Sequence, residues 1–442
     1  MSWCGSVRSL STQIDDRSSR HPGDELTETM PVHGQREAPG AHTCCIAGGG
    51  PAGLMLGLLL ARAGVDIAVL EKHSDFLRDF RGDTVHPSTL QVLDDIGLIE
   101  DFLALPHSEV RRATLPTGRG WLEVDFSKIG TLYNFVAFVP QWDFLELLAR
   151  EGLKLPHFHL LRRAEVTDLV VQHGRVAGLR FRGPQGDGEI HAVLTVGADG
   201  RDSVVRKQSG ITVEETSAPM DVFWFRITRR PDESDAIQAR LRQGHFAVFI
   251  NRNDYWQVAY VIPKGAVDDI RPGGIESFRR TLLLLAPELG ERVREIRGWD
   301  DVKLLTVRSN HVHRWWRPGL LLIGDAAHAM SPIGGVGLNL AVQDAVAAYN
   351  ILVGALKRGE ITDQLLARVE RRRRLPATLT QRLQSLVQST VVKPVLAGRT
   401  TRLPLPARVL LRTPYLDRIP ARVVGVGVRP ERVRPEGGPS GP

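Results

Sequence analysis

The hydrophobic pattern near residue 43 changes from a strand-like run to a helix-like run and back again. Residues 43–47 are apolar, residues 51–63 form an apolar helix that Gly64 ends, and residues 65–70 form a second apolar run that ends in Glu71. A strand, a helix and a strand joined by such short connections predict a βαβ unit with parallel strands. The pattern therefore indicates an α/β fold.

Short strands and amphipathic helices follow this unit. Residues 87–96 and 141–148 have helical periodicity. Three further runs are separated by glycine-containing turns and predict an antiparallel meander: residues 166–171, 175–182 and 189–196.

The pattern changes after Gly210, where aromatic residues join the apolar runs. Residues 222–227, 246–251 and 255–262 predict the strands of a second, β-rich domain. Two elements then return to the fully apolar pattern of the first domain, a strand at 319–324 and a long helix at 337–356. The first domain is therefore expected to be interrupted by the second.

These patterns predict five segments along the chain. They are a disordered polar leader at 1–41, the first part of the α/β domain at 42–214, the β-rich domain at 215–315, the second part of the α/β domain at 316–398, and an arginine- and proline-rich C-terminal segment at 399–442. The frequent prolines allow only short helices in the last segment.

The composition places this chain among globular proteins. Of its 442 residues, 42% are hydrophobic and 24% charged, which excludes disorder throughout. Its three cysteines, Cys4, Cys44 and Cys45, have neither a metal-binding spacing nor the number that a disulfide framework needs. We find no apolar run of the ~18 residues that a membrane span requires, and no signal peptide. A cytoplasmic location without membrane contact is expected.

The net charge of +7 might suggest a nucleic-acid partner, but its distribution argues against one. Most of the basic excess lies in the C-terminal segment 399–442, without the interleaved aromatic residues that nucleic-acid binding favours. A small molecule is therefore the expected partner, and the sequence does not specify an oligomeric state.

The first of three chemical motifs is Gly48-x-Gly50-x-x-Gly53, between the first strand and the first helix. In such a loop one glycine makes the tight turn, the second lets the backbone approach a pyrophosphate, and the third lets the helix pack on the strand. The helix N-terminus then binds the phosphate charge. Glu71 ends the next strand, where a carboxylate can accept hydrogen bonds from a ribose. The motif predicts dinucleotide binding.

Two further motifs follow apolar strands. Asp199-Gly200 comes after the strand that ends near residue 196, and by itself is an ordinary turn signal. Asp325 follows the strand 319–324, at the sheet edge where open α/β sheets bind ligands. A glycine-rich run then opens the long helix; its candidate residues are Pro332, Gly335, Gly337, Leu338 and Asn339.

Three motifs in this order and spacing resemble those of the class A flavoprotein monooxygenases, of which para-hydroxybenzoate hydroxylase is the type member. The resemblance extends from about Thr43 to Arg432. It implies a Rossmann-like FAD-binding domain of the GR2 type, interrupted by a β-sheet-rich substrate domain and followed by a C-terminal helical segment.

The resemblance also implies roles for residues. The first glycine loop, with Pro51 and Ala52, would hold the pyrophosphate and Glu71 the adenosine ribose. Asp325 would bind the ribitol. The other positions that match cofactor-binding residues of the family are Arg81, Gln141, Asp199, Gly200, Pro332, Gly335, Gly337, Leu338 and Asn339.

The implied reaction is hydroxylation of an aromatic or similarly electron-rich small molecule. NADH or NADPH would bind transiently and reduce the flavin, and dioxygen would then form a C4a-hydroperoxyflavin that transfers one oxygen atom. Two alternatives stay open: a non-redox protein that uses FAD as a scaffold, and a flavin-dependent reductase or halogenase. The substrate, its site of hydroxylation and the catalytic proton donors are not specified.

Two other groups of residues have simpler interpretations than a functional site. His157-x-His159 and His311-x-His313 have strand spacing, but no third ligand lies nearby in the sequence, so no metal site is expected. The run from Arg371 to Arg374 lies in a helical stretch and is expected to form a solvated face.

Overall fold

The computed structural model describes residues 41–77, 84–117, 120–233, 237–399 and 418–435. These residues lie in one compact unit, Ala38–Pro442. The predicted leader up to residue 40 and Arg81 fall outside the described residues.

A central sheet organises the described part of the chain. Its strand order is β19-β20-β11-β1-β2-β8, and β9 and β10 extend it beside β11. The strands of this sheet are β1 Ala41–Ala47, β2 Ile67–Glu71, β8 Phe158–Arg162, β9 Glu165–Gln172, β10 Arg175–Gly183, β11 Gly186–Gly197, β19 Trp316–Arg317 and β20 Leu320–Leu322. Strands β1, β2, β8, β11 and β20 pair in parallel, which confirms the predicted βαβ unit.

The long strand β11 joins two kinds of pairing. Its first half pairs antiparallel with β10, which pairs antiparallel with β9, so the predicted meander is confirmed. Its second half pairs in parallel with β1 and β20. The two parts of the α/β domain, far apart in sequence, thus meet in one sheet.

Apolar helices cover this sheet. The helices of the described residues are α1 Pro51–Arg62, α2 Pro87–Asp95, α3 Ile99–Leu103, α4 Gln141–Leu153, α5 Val204–Gln208, α6 Val267–Ile270, α7 Gly274–Leu285, α8 Asp325–His328, α9 Gly337–Lys357, α10 Asp363–Val387, α11 Lys393–Leu396 and α12 Arg418–Gly425. Helix α1 is buried from Ala52 to Ala61 because it packs between the sheet and helices α4 and α9. Its nearly uniform apolar sequence follows from that position.

Helix α9 is a core helix. Segment 333–357 has the length and hydropathy of a membrane span, but 72% of its apolar window is buried inside the fold. A core helix passes the same test of length and composition. The end that was predicted at Leu356 lies at Lys357.

The second sheet has the order β14-β15-β16-β13-β17. Its strands are β13 Met220–Thr228, β14 Gln238–Arg242, β15 His245–Asn251, β16 Tyr255–Pro263 and β17 Lys303–Leu305. One face packs Phe223 and Phe225 against Phe278 of α7. On the other face Val222 belongs to an apolar cluster that also contacts Ile333 of the third motif. The predicted β-rich region is therefore confirmed as a sheet, and one face of it lies against the third motif.

Smaller strand pairs complete the fold. They are β3 Thr84–Val85, β4 Ser108–Val110 and β7 Val136–Phe138 in one sheet, the hairpin β5 Arg112–Thr117 with β6 Gly120–Asp125, and the ribbon β12 Val213–Ser217 with β18 Arg308–Val312. Strand β12 spans the expected domain boundary at 214/215, and β18 ends shortly before the one at 315/316. The boundaries themselves stay predictions.

The arginine run on α10 departs from its predicted solvated face. Arg373 is buried and bonds Asp344 of α9 through Nε at 2.9 Å. Arg372 bonds Glu431 of the C-terminal segment at 2.6 Å, and Arg374 bonds Glu370. Only Arg371 of the four is exposed. The expectation was wrong because Arg373 and Arg372 have acidic partners on elements distant in sequence, on α9 and in the C-terminal segment.

Candidate functional site

Three motifs meet at one edge of the central sheet. Strands β1, β11 and β20 are parallel neighbours and end at Ala47, Gly197 and Leu322. The N–H of Ala198 donates to the carbonyl of Ala47 at 2.8 Å, and the N–H of Ile323 donates to the carbonyl of Gly197 at 3.0 Å. The loops after these strands therefore border a single crevice at the carboxyl edge, where α/β sheets bind ligands.

The glycines of the first loop have different surroundings. Gly48 has a φ of +102°, and a Cβ built on it would lie 2.4 Å from the carbonyl oxygen of Ala198. A Cβ on Gly53 would lie 2.0 Å from the carbonyl oxygen of Gly48. A Cβ on Gly50 would meet no atom within 4 Å. Gly48 and Gly53 are thus required by packing, whereas Gly50 leaves open space at the N-terminus of α1.

That open space suits a phosphate. Pro51 is the first residue of α1 and Gly50 is its N-cap. The first N–H groups of a helix have no partner within the helix, and the helix dipole favours negative charge there. Ala52 lies beside the third motif, because a Cβ on Gly324 would be 3.2 Å from its Cβ.

Glu71 fixes the glycine loop from the neighbouring strand. Its carboxylate is buried and accepts hydrogen bonds from the N–H of Gly49 at 3.1 Å and the N–H of His73 at 2.9 Å. An ionised carboxylate has about four acceptor sites and can serve several donors at once. The predicted ribose ligand therefore also orders the loop.

The carboxylate of Asp199 is hydrogen-bonded within its own motif. Its carboxylate accepts from the hydroxyl of Ser203 at 2.5 Å and the N–H of Val205 at 3.1 Å, at the start of α5. Burial raises the pKa of Asp199, and those hydrogen bonds oppose the rise. Gly200 follows with a φ of +86°, as a tight turn requires. The second motif is held by its own hydrogen bonds.

The second and third motifs are tied together by arginines. Arg206 is buried and donates to the carbonyls of Ala326 at 2.8 Å and Arg201 at 2.7 Å. Arg201 lies 3.5 Å from the carboxylate of Asp325, and the side chain of Asp325 is 33% exposed. Asp325 is therefore accessible to a ligand such as the ribitol chain, with a cation beside it.

Behind the third motif lies a buried acid that the sequence analysis missed. Asp344 of α9 accepts from the N–H of Gly324 at 3.0 Å, from Nε2 of His328 at 2.5 Å and from Nε of Arg373 at 2.9 Å. The acid, the histidine and the arginine are all buried. A single acidic residue within an apolar helix was the signal that could have identified it.

The charges in this cluster set the pKa values of its members. Burial alone would lower the pKa of His328, but the charge and hydrogen bond of Asp344 outweigh it, so the pKa is raised. Burial would raise the pKa of Asp344, and His328 and Arg373 together lower it. The buried cluster is therefore a charged one, with His328 a structural partner of Asp344.

The glycine-rich run of the third motif is fixed by neighbouring elements. Gly335 has a φ of +61°, and a Cβ on it would lie 2.1 Å from Oγ1 of Thr84. Gln384 of α10 donates to the carbonyls of Ser331 at 2.9 Å and Ile333 at 2.8 Å, on either side of Pro332. Gly337 is the first residue of α9. The run thus presents backbone at the start of a long helix.

Asn339 uses its side chain within the protein. The carbonyl oxygen accepts from the N–H of His86 and the hydroxyl of Thr89, and the amide donates to the carbonyls of Thr84 and Gly335. Its predicted flavin contact would therefore have to come from the backbone. Leu338 is buried in the main core cluster.

His86 is a second neighbour of this motif. Burial lowers its pKa to about 4, although a hydrogen bond to the carbonyl of Val424 opposes the shift. Helix α12 in the C-terminal segment thereby contacts the motif. Gln141, the first residue of α4, is half-buried, and Arg81 lies outside the described residues.

The donor set around this crevice fits FAD. It has open backbone at Gly50 for a pyrophosphate, a carboxylate at each end in Glu71 and Asp325 for two polyols, and the N-terminus of α9 opposite. The residue roles themselves remain predictions.

The Asp325→Ala variant tests the predicted ribitol site. Loss of a charge-assisted hydrogen bond should weaken FAD binding by about 10- to 100-fold, equal to ~1.5–3 kcal/mol. Titration of the apo-protein with FAD, followed by flavin fluorescence, measures this. Asp202→Ala is the matched control, because that exposed acid lies 3.7 Å from Arg308 at the surface. Unchanged FAD affinity in Asp325→Ala would place the ribitol elsewhere.

Comparison with known protein families supports FAD binding by this chain. A family described as FAD binding domain matches residues 41–383. The 6-methylpretetramide 4-monooxygenase of Streptomyces rimosus is 33% identical over 401 residues, which are 88% of this chain and 96% of that enzyme.

Solved structures share the fold. OxyS anhydrotetracycline hydroxylase from Streptomyces rimosus has a TM-score of 0.69 and 29% sequence identity, over 88% of this chain and 76% of that one. PqsL of Pseudomonas aeruginosa, described as a probable FAD-dependent monooxygenase, has a TM-score of 0.70 and 21% identity, over 81% of this chain and 99% of that one.

Proposed function

Because the chain belongs to the class A FAD-dependent monooxygenases, we propose that it hydroxylates a polycyclic aromatic molecule of the tetracycline-precursor type. The chain is an FAD-dependent monooxygenase whose co-substrates are NAD(P)H and dioxygen. The relatives described above are monooxygenases, which favours hydroxylation over the scaffold, reductase and halogenase alternatives. The substrate class is the part that we propose.

The strongest support is the similarity to the 6-methylpretetramide 4-monooxygenase, because it extends over 96% of that enzyme. Such coverage includes both the cofactor domain and the second sheet. A relative that shares only the cofactor domain would say little about the substrate, since function depends on the site and not on the fold.

One face of the second sheet is apolar where it meets the third motif. Val222, Ala259 and Val261 are buried in one apolar cluster on this face, and the partly buried Trp224 and Ile333 pack against it. Ile333 belongs to the glycine-rich run at the start of α9. Apolar pockets with few polar groups are typical of small-molecule sites. We propose that the substrate rings lie between this surface and the flavin.

Bound FAD would supply the chemistry of hydride acceptance from NAD(P)H and of dioxygen activation. The residues of this chain position the cofactor and the substrate and shape the environment around them. The N-terminus of α1 would hold the phosphates, and Asp325 would hold the ribitol. The N-terminus of α9 favours negative charge next to the ring system. The apolar face of the second sheet excludes water from the site of oxygen transfer.

The decisive experiment follows NAD(P)H oxidation by the purified protein with and without aromatic substrates. We expect tetracyclic aromatic substrates to stimulate oxidation and single-ring phenols to have little effect. With 18O2, one labelled oxygen atom should enter the product, as measured by mass spectrometry. Stimulation by simple phenols alone would contradict the proposed substrate class, whereas a protein that binds FAD but oxidises no NAD(P)H would favour the scaffold alternative.

Trp224→Ala tests where the substrate lies. Trp224 packs against both the apolar cluster of the second sheet and the cluster around β6, β7 and α12. Loss of its ring should raise KM for a tetracyclic substrate by about 10-fold, since an aromatic contact contributes ~1 kcal/mol beyond its buried area. FAD content should be unchanged. Phe223→Leu, on the opposite face of β13, is the control and should lower Tm with KM preserved.

We propose a cytoplasmic location for this reaction. Cys44 and Cys45 are free and buried, which is compatible with a reducing compartment. Substrate and dioxygen are the expected small-molecule partners, and the choice between NADH and NADPH is settled by comparing the two in the oxidation assay.

A further inference from the structure

The edge of the central sheet opposite the flavin crevice carries a cluster of two histidines and an aspartate. His42 lies near the beginning of β1, Asp66 immediately precedes β2, and His159 lies near the beginning of β8. Strands β1, β2 and β8 are adjacent and parallel, so their amino ends meet at this edge. The fold thus brings together residues from three separate parts of the sequence.

Their potential ligand atoms converge. Nδ1 of His42 lies 2.7 Å from one carboxylate oxygen of Asp66, and Nε2 of His159 lies 2.9 Å from the other. The three ligand groups are all within 4.8 Å of one another. The two imidazole rings are 5.0 Å apart, tilted by 51°. Two nitrogens and a carboxylate are a ligand set that zinc uses.

The cluster is built on a rigid frame. The carbonyl of Asp66 accepts hydrogen bonds from the N–H groups of Thr43 at 3.1 Å and Cys44 at 3.2 Å, which fix it against β1. The N–H of Ile67 donates to the carbonyl of His157 at 2.9 Å, which fixes it against β8. Ligands held by strand backbones are positioned more precisely than ligands on loops.

The side chains of the three groups become more exposed from His42 to His159 to Asp66, so an ion bound to them would lie at the edge of the sheet. The side chain of His42 is fully buried, that of His159 is 11% exposed and that of Asp66 is 34% exposed. Nε2 of His42 is buried and bonds to no described residue, so the polar contact of this ring lies entirely on the Asp66 side. The open side at Asp66 leaves access for water as a fourth ligand.

We propose that His42, Asp66 and His159 bind one Zn²⁺ ion, with water completing the tetrahedron. In a tetrahedron with zinc–ligand distances of about 2.0–2.2 Å, neighbouring ligand atoms lie about 3.3–3.5 Å apart. Each ring nitrogen must therefore move roughly 0.5 Å away from the carboxylate oxygen that it now contacts, which the partly exposed Asp66 and the rim residue His159 can supply. The ion would join three neighbouring strands. It lies at the far end of β1 from the flavin crevice, so its role is structural and not catalytic.

This proposal reverses the expectation that the chain has no metal site. That expectation rested on His157-x-His159 having no third ligand nearby in the sequence. The fold supplies Asp66 and His42 from other strands, and His157 is exposed and outside the cluster.

A hydrogen-bonded bridge without metal is the competing interpretation. In that state Asp66 accepts one N–H from each imidazole, and the three strands are joined by two hydrogen bonds. The His159→Gln variant separates the two, because the glutamine amide can still donate to Asp66 but does not replace the imidazole as a zinc ligand.

The experiment uses flavin-loaded, untagged full-length protein dialysed against a chelator. Titration with ZnCl₂ in a calorimeter should show one site per chain, and zinc should raise Tm, because a ligand that binds only the folded state stabilises it. Co²⁺ should give the visible absorption of a tetrahedral site. We expect His159→Gln to weaken zinc binding on the order of 100-fold, with the zinc-free Tm preserved, and His157→Ala to bind like the wild type.

Two results would overturn the proposal. One is a wild-type protein that shows no stoichiometric zinc binding and no zinc-dependent Tm. The other is His159→Gln binding zinc as tightly as the wild type, which would assign the ion to other groups. If His159→Gln lowers the zinc-free Tm, Asp66→Asn provides the second measurement, since it retains a side-chain oxygen at the same position and removes the charge that attracts the cation; undiminished zinc binding there would equally contradict the site.

Discussion

An Asp344→Ala protein is expected to lose about 3–5 kcal/mol of folding free energy and to purify without flavin. The carboxylate is fully buried and accepts three hydrogen bonds, one from the backbone of Gly324 and two from the charged side chains of His328 and Arg373. Its removal would leave the buried guanidinium of Arg373 without that carboxylate. It would also release Gly324, which positions the predicted ribitol ligand Asp325.

The loss of folding free energy in Asp344→Ala should become smaller both at low pH and at high pH. The pKa of Asp344 is lowered from 3.8, so its contribution is present above that value and is lost as the pH falls through the folded pKa. The pKa of His328 is raised from 6.5, so its contribution is complete below that value and is lost as the pH rises through the folded pKa. The difference in unfolding free energy between wild type and variant should therefore be largest between about pH 4 and pH 6.5.

Urea unfolding at several pH values, with flavin content measured in parallel, checks this prediction. Glu360→Ala is the matched control, because Glu360 pairs with Arg358 at the exposed surface and such pairs contribute 0 to about 1 kcal/mol. A double variant, Asp344→Leu with Arg373→Met, should recover part of the stability, since apolar residues can replace a buried ion pair. If Asp344→Ala unfolds like Glu360→Ala, the buried cluster contributes little.

Elements with strong local signals could be predicted from the sequence. The unit β1–α1–β2 and the helix α9 combine a full-length apolar pattern with glycines at the turns, and both lie where the pattern indicated. Full burial explains why the signal is clear, since every face of α1 contacts protein. The local hydrophobic pattern is sufficient to predict an element when that element is buried.

The short strands β3, β4 and β7 could not be predicted in the same way. Strand β3 is two residues long and pairs with β7 more than fifty residues later, which in turn pairs with β4. Strands of two or three residues are too short to show a period of two. Their register is set by long-range pairing, which no local pattern reveals.

The hydrogen-bond and ion-pair partners of the side chains around the site could not be predicted from the sequence. Asn339 was expected to contact flavin, yet its side-chain amide is used by Thr84, His86, Thr89 and Gly335. The arginine run on α10 was expected in solvent, and Arg373 is instead paired with an acid 29 residues earlier. Both outcomes depend on which elements the fold brings together.

Gly48→Ala and Gly50→Ala form the second pair of large expected effects, and they differ in kind. In Gly48→Ala the new methyl group would lie 2.4 Å from the carbonyl oxygen and 2.7 Å from the carbonyl carbon of Ala198. These contacts are with backbone atoms, which cannot move aside as the end of a flexible side chain can. The positive φ of Gly48 adds strain of about 1–3 kcal/mol for an alanine. We expect a loss of about 3 kcal/mol or more in folding stability, with or without FAD.

Gly50→Ala should leave the protein without its cofactor while it stays folded. Gly50 has a φ of −80°, which alanine adopts freely, and the added methyl group would meet no protein atom within 4 Å. Stability of the apo-protein should fall by less than about 1 kcal/mol, mostly from the change at the N-cap. The methyl group would occupy the space predicted for the pyrophosphate, so FAD affinity should fall by about 100-fold, equal to ~2.8 kcal/mol.

The contrast between these two variants tests the central assumption about the site. Thermal unfolding of the apo-proteins measures the structural effect, and titration with FAD measures binding. A Gly48→Ala protein with wild-type apo stability would mean that the turn can rearrange away from Ala198. A Gly50→Ala protein that binds FAD normally would mean that the phosphates lie away from the N-terminus of α1. Because the two glycines are two residues apart in one loop, opposite outcomes in stability and affinity can arise only if packing fixes one and the ligand requires the other.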